Sequence, residues 1–149
     1  VNIDLVPYDT RNAAAAAELA AIFARYYPTS PWLPSAEKIM QGRTRYYRAL
    51  HDGVQIGVTG YVAKTPTLAE TVKTTVFDEF RGRGLGQGLS QAIEDECRRN
   101  GIRKVMTTIF STNHAMIAIK LRQGYTIEGY HPDHEAPGFH EYSLGKIFP

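Results

Sequence analysis

Arg81-Gly82-Arg83-Gly84-Leu85-Gly86-Gln87-Gly88 stands between a run of β-branched and aromatic residues, Thr71 to Phe77, and a segment with helical spacing, Leu85 to Arg99. Glycine lets the backbone turn sharply and lets a ligand approach the main chain closely. The first turn of the helix that follows leaves amide N–H groups unpaired at the positive end of its dipole, which suits an anion such as phosphate. Arg81 and Arg83 add charge-assisted donors beside those amides. The plainer alternative is a turn that only seats a helix on a strand. The stretch lacks the Gly-Lys-Ser/Thr ending of a Walker loop, and its glycine spacing is not that of the dinucleotide fingerprint.

Working outward, Thr71 to Phe77 reads as a strand and Leu85, Leu89, Ala92, Ile93 and Cys97 as one helical face, stopped by Asn100-Gly101. On the N-terminal side, Val1 to Val6 alternates as a strand closed by Pro7, and Asp9 or Thr10 is expected to cap a helix from Arg11 to Tyr26. Three prolines make Tyr27 to Pro34 a loop, and Ser35 caps a second helix reaching about Gly42. Arg45 to His51 and Val54 to Ala63 form a hairpin across Asp52-Gly53. On the C-terminal side, Ile102 to Phe110 is a strand and Asn113 to Gln123 a short helix ended by Gly124. Tyr125 to Gly129 and Phe139 to Leu144 are the expected last strands, around a loop holding His131, Pro132, Asp133 and His134. The order is βααβββαβαββ, an α/β or α+β sandwich around one sheet.

The 149 residues, 43% hydrophobic and 21% charged, fit one domain with one sizeable core. A net charge of +2 is too small to make an extended nucleic acid the main partner, although Arg81, Arg83, Arg98, Arg99, Arg103 and Lys104 could form a local basic patch. One cysteine excludes an internal disulfide and a cysteine-rich zinc site, so a cytoplasmic location is expected. Ala13 to Ala24 is too short and too weakly hydrophobic to span a bilayer, and no membrane partner is expected. His131, His134 and His140 match no zinc spacing, so no metal is expected.

Arg81-x-x-Gly84-x-Gly86, directly after Thr74-Thr75-Val76, resembles the pyrophosphate-binding motif with which the GNAT N-acetyltransferase superfamily grips coenzyme A. Asn113, Ala115, Met116 and Gly124-Tyr125 look like that superfamily's later helix and closing Gly-aromatic pair, and the element order agrees over nearly the whole chain. The resemblance implies a mostly antiparallel central sheet with one splayed parallel strand pair, Thr71 to Val76 beside Lys104 to Ile109, and helices on both faces. It implies acetyl-CoA as donor and a primary amine of a small molecule or peptide as acceptor. Main-chain groups near Thr74 and Val76 would pair with the pantetheine arm, while Arg81, Gly82, Arg83, Gly84, Gly86 and Gln87 would hold the pyrophosphate. Asn113 would lie near the thioester.

Direct acyl transfer needs a deprotonated amine, donors for the oxyanion and often an acid for the departing thiolate. Glu70 is spaced from Arg81 much as the base is in the histone-acetylating branch of the superfamily, and is the candidate base. Another branch carries its base where this chain has Thr108. Many members carry a tyrosine acid seven residues after the helix-start asparagine, where this chain has Lys120; Tyr125, Tyr130 and Tyr142 are alternatives. Cys97 sits on an apolar stripe and reads as core rather than as an acyl carrier. Tyr26, Tyr27 and Trp32, facing a late loop with His131, Asp133, His134 and Glu135, are the candidate acceptor contacts. The competing reading is a non-catalytic coenzyme A binding or sensing domain. A monomer or a homodimer is expected.

Overall fold

Successive side chains of a strand point to opposite faces of the sheet, so that neighbours in sequence meet different helices. Tyr46 enters a cluster with Leu19 and Phe23, whereas Tyr47, the next residue, enters one with Ile93 and Cys97. The computed structural model describes residues 1–149. Its elements are β1 (Asp4–Pro7), α1 (Ala13–Tyr26), α2 (Ala36–Gln41), β2 (Arg45–His51), β3 (Val54–Ala63), β4 (Leu68–Val76), α3 (Leu85–Arg99), β5 (Lys104–Phe110), α4 (His114–Arg122), β6 (Thr126–His131) and β7 (Glu141–Ile147), with a 3₁₀ turn at Asp78–Phe80. The seven strands form one sheet in the order β1-β2-β3-β4-β5-β7-β6. Every neighbouring pair is antiparallel except β4 and β5. No helix is long and apolar enough to cross a membrane.

Burial explains which segments become helices. Leu85, Leu89, Ile93 and Cys97 recur every four residues and are all buried, so α3 lays one continuous stripe on the sheet. Leu19 and Phe23 do the same for α1 on the other face. Asp52 and Gly53 both take positive φ, 50° and 77°, which closes the β2–β3 hairpin tightly.

Several boundaries differ from the sequence reading. Asn12, not Asp9 or Thr10, caps α1, its Oδ1 accepting from the Ala15 amide, while Asp9 accepts from the Arg11 amide in the preceding turn. The first strand starts at Asp4 and includes Pro7, which an edge strand tolerates because its missing N–H need not pair. β4 starts at Leu68, three residues early, because Leu68 to Glu70 pairs with Lys104 to Met106. β6 and β7 both run further than expected, so that His131 lies opposite Glu141 inside the ladder.

β3 and β4 approach closely at Gly57, where an added Cβ would stand 2.1 Å from the Thr75 carbonyl oxygen. Backbone cannot yield as a flexible side chain can. Gly57→Ala is therefore expected to destabilise the fold by at least about 2 kcal/mol, measured by denaturant unfolding. An unchanged midpoint would contradict that packing.

Candidate active site

The site originates in a fork in the sheet. β4 and β5 pair only over Leu68–Lys104, Ala69–Val105 and Glu70–Met106, so the edge of β4 beyond Glu70 is left open towards β5. At the fork, Thr107 Oγ1 donates to the Thr71 carbonyl at 3.2 Å. A bulge follows, with a register slip opposite Val58 and Gly60 and with Lys73 in the left-handed region at φ 56°. That conformation costs a non-glycine residue about 1 kcal/mol or more, and hydroxyl groups hold it. Thr75 Oγ1 donates to the Lys73 carbonyl at 3.1 Å and lies 2.8 Å from Tyr27 Oη, while Thr59 and Thr74 share a hydroxyl contact of 2.9 Å.

Below the fork, a groove of about 440 Å³ runs between the open edge of β4, the start of α3 and the face of α4. Three of the four α-helices begin with a side-chain cap, from Asn12, Ser35 and Asn113. α3 has none: its cap is Gly84 at φ 73°, and the amides from Gly82 to Gln87 find no acceptor within the chain. Added Cβ atoms at Gly82 and Gly84 would meet nothing within 4 Å, so the space beside these amides is open. The arrangement can bind an anion such as a diphosphate, and the residues fit coenzyme A in this respect.

Thr74, Val76, Arg81, Gly82, Gly84, Gly86, Gln87 and Asn113 all line the groove. Arg83 does not; its guanidinium lies over the Phe80 ring at 5.8 Å. Arg81 turns back on its own segment, its Nε donating to the Val76 carbonyl and pairing with Asp78, both at 3.3 Å. Arg122, which the sequence reading did not single out, supplies another cation to the lining.

Tyr27, Thr74, Asn113 and Met116 are shared with a second cavity of about 280 Å³ above the fork. Glu70 lines this second cavity, with its carboxylate 3.2 Å from Lys64 Nζ. Lys73, Lys120, Glu135 and Glu141 line it as well. Tyr27 belongs to the lining, but Tyr26 lies in the groove only, stacked on Phe77 and accepting from the Asp78 amide. Trp32 lines neither; its indole donates to the Glu135 carbonyl and ties the two loops together. Thr108 is in the cavity and brings no carboxylate. Glu141 was missed because its place beside the cavity is set by pairing with Phe110 of β5 rather than by its own strand, and Lys73 because nothing in Thr71 to Phe77 marks a bulge.

The matches with known proteins agree with this geometry. The model of the acetyltransferase (GNAT) family matches residues 15–125. The chain belongs to that family. A curated L-methionine sulfoximine/L-methionine sulfone acetyltransferase of Pseudomonas aeruginosa is 38% identical over 64 residues, which is 42% of this chain and 37% of that relative's length. RimL, a ribosomal L7/L12 α-N-protein acetyltransferase in complex with coenzyme A, shares the fold at a TM-score of 0.77 and 19% identity, covering 99% of this chain and 95% of that one. Aminoglycoside 6'-acetyltransferase type Ii does so at 0.77 and 18%, covering 98% of each.

Among the candidate acids, Lys120 alone lines a cavity. It is 2% exposed, its Nζ donates to Ser90 Oγ at 2.6 Å, and Ser90 in turn donates to Gln123. Burial lowers its pKa to about 8, against an attraction from Glu94 that raises it. Tyr125 is buried with its hydroxyl unpartnered, and Tyr130 is half exposed. Cys97 is fully buried, and burial pushes its thiol up to about 12, which makes it a poor nucleophile at neutral pH. Of the proposed basic patch, Arg98 covers Phe148, Arg99 pairs with Glu96 and Lys104 with Glu128.

The lowered pKa makes a stability prediction. Between about 8 in the fold and 10.5 in the unfolded chain, the unfolded state binds the extra proton, so the penalty for burying this ammonium is full below pH 8 and fades towards pH 10.5. Lys120→Met should therefore melt higher relative to the unaltered chain at pH 7 than at pH 10, the difference shrinking by on the order of 2 kcal/mol. A difference independent of pH would contradict the buried ammonium.

Proposed function

We propose that this chain is an N-acetyltransferase that moves the acetyl group of acetyl-CoA to a primary amine of a small molecule or peptide by direct attack. The observation that carries the reading is the uncapped start of α3, which opens into the same groove as the unpaired edge of β4. In it the amides of Gly82 to Gln87, with Arg81 and Arg83 nearby, hold the pyrophosphate, and the main chain at Thr74 and Val76 pairs with the pantetheine arm. Asn113, shared by groove and cavity, marks the thioester end.

The amine enters from the acidic cavity, against Tyr27, while Trp32 ties down the loop that carries Glu135 and Tyr26 stays on the cofactor side. Glu70 takes the amine proton as the nitrogen attacks the thioester carbon. The carbon–sulfur bond then breaks, and the thiolate receives a proton. Lys120 is the cavity group suited to supply it, since an ammonium titrating at about 8 is matched to a thiol near 8.5. We place the protein in the cytoplasm, where a single buried cysteine stays reduced, as a monomer or homodimer of one-domain chains. A non-catalytic coenzyme A binding domain is the second reading, favoured by the ion pair that occupies Glu70 with Lys64.

Gly86 gives the cleanest test, because an added Cβ there makes only ordinary contact with Ile119 at 3.5 Å and its φ is not positive. The unaltered protein should melt higher with acetyl-CoA, and Gly86→Leu should remain folded and lose that shift. An unchanged shift would contradict the groove assignment. Glu70→Gln should lower kcat by about 100-fold while keeping the shift, as expected for a lost general base. Retained cofactor binding with no amine acetylated by the unaltered protein would favour the binding domain.

A further inference from the structure

A buried carboxylate and a half-buried ammonium line the acceptor cavity, and neither has an ion-pair partner. Glu141 is 4% exposed, its Oε2 is enclosed without a hydrogen bond, and it forms no ion pair. Lys73 projects from the bulge with its ammonium 4.7 Å from the centre of the Tyr27 ring and 5.9 Å from that of Phe23. It makes no ion pair and donates no hydrogen bond within the chain, although it lines the same cavity. Burial lowers the pKa of Lys73 and raises that of Glu141, and each feels the other's charge. Glu70, Glu135 and His134 are the other charged or titratable groups facing Glu141. Glu70 is occupied by Lys64, and Glu135 and His134 lie in the exposed loop at the mouth.

A lysine stem has four rotatable carbons, so a buried lysine and glutamate close enough to meet would form a direct pair. Here both line the same cavity and form no pair. A buried ion without a partner is costly, and a ligand that neutralised Glu141 and Lys73 together would relieve that cost. A simple amine could satisfy Glu141 only, leaving Lys73 unpaired and repelling the incoming cation. The N-terminus of a peptide has the same defect, because its first carbonyl is an uncharged amide. A cavity of about 280 Å³ also sits at the small end for ligand sites.

We propose that Lys73 and Glu141 form a two-charge acceptor subsite for a small zwitterion, a free α-amino acid or close analogue, whose carboxylate pairs with Lys73 and whose ammonium is held by Glu141. The proposal rests on the acetyltransferase reading and narrows its substrate class. Glu141 is the anchor for the nitrogen, and Glu70 remains the proton acceptor beside it.

The test uses the full chain with acetyl-CoA and three matched sets of probes: free amino acids, their carboxamides and the amines lacking the carboxylate. For the side chain that reacts best, kcat/KM should be about tenfold or more higher for the free amino acid than for either relative. Lys73→Met should raise KM for the amino acid by about tenfold and lower KM for the carboxylate-free amine, from which a repelling charge is removed, so that the preference for the carboxylate disappears. Glu141→Gln should raise KM for both. An amide or simple amine used as well as the amino acid by the unaltered enzyme, which needs no variant to fold, would overturn the subsite. So would a preference that survives Lys73→Met. Coenzyme A binding and amino-acid binding are followed on the same samples by calorimetry. Amino-acid binding that depends on Lys73, without affinity for coenzyme A, would support the subsite and overturn the transferase reading. Acetylation of amines with no carboxylate preference would do the reverse.

Discussion

A row of backbone N–H donors with no acceptor, at the start of a helix that has glycine where its neighbours have a capping side chain, is the constraint from which the rest of this molecule follows. Unpaired amides in a groove are costly unless water or a ligand completes them. Three other helices solve the problem with Asn12, Ser35 and Asn113, whereas α3 keeps it unsolved at Gly84. Its buried stripe of Leu85, Leu89, Ile93 and Cys97 carries the stability that the cap would have added. The helix can thus present a positively polarised end without losing its place on the sheet.

The fork between β4 and β5 complements that end. Three residue pairs hold the two strands together; beyond Glu70, on the stretch of β4 that carries the Lys73 bulge, they no longer pair. The bulge is held by hydroxyls from Thr59, Thr74, Thr75 and Tyr27, so the opening is built into the folded chain. One extended arm fits along the free strand edge, and the groove and the charged cavity meet at Tyr27, Thr74, Asn113 and Met116. A diphosphate at one end and an amine at the other would approach one another where these residues join the two spaces.

Much of this was legible in the sequence, for physical reasons that can be named. Gly82 and Gly84 announce the turn because only glycine readily combines positive φ with open space beside the chain. The order of elements could be read because burial periodicity is strong in α1, α3 and β5, and Asp52-Gly53 has a conformation few other pairs adopt. The acceptor side was less visible. Glu141 lies inside the expected strand from Phe139 to Leu144, but it was hidden because the face it takes is set by pairing with β5 and leaves no local signature. Lys73 was hidden because its direction depends on a bulge opposite Thr59. Lys120 was visible as a departure from the expected tyrosine, but its burial against Ser90 comes from tertiary packing. Tyr26 and Trp32 have the residue types of contacts to a cation, yet Tyr26 caps the 3₁₀ turn and Trp32 ties two loops.

The central claim concerns particular amide hydrogens, and amide NMR observes them directly. Titration with coenzyme A should shift the N–H resonances of Gly82, Gly84 and Gly86 strongly, and pantetheine, which lacks the diphosphate, should leave them nearly in place. Resonances at these three glycines that stay fixed while coenzyme A binds, or that move equally with pantetheine, would contradict the account.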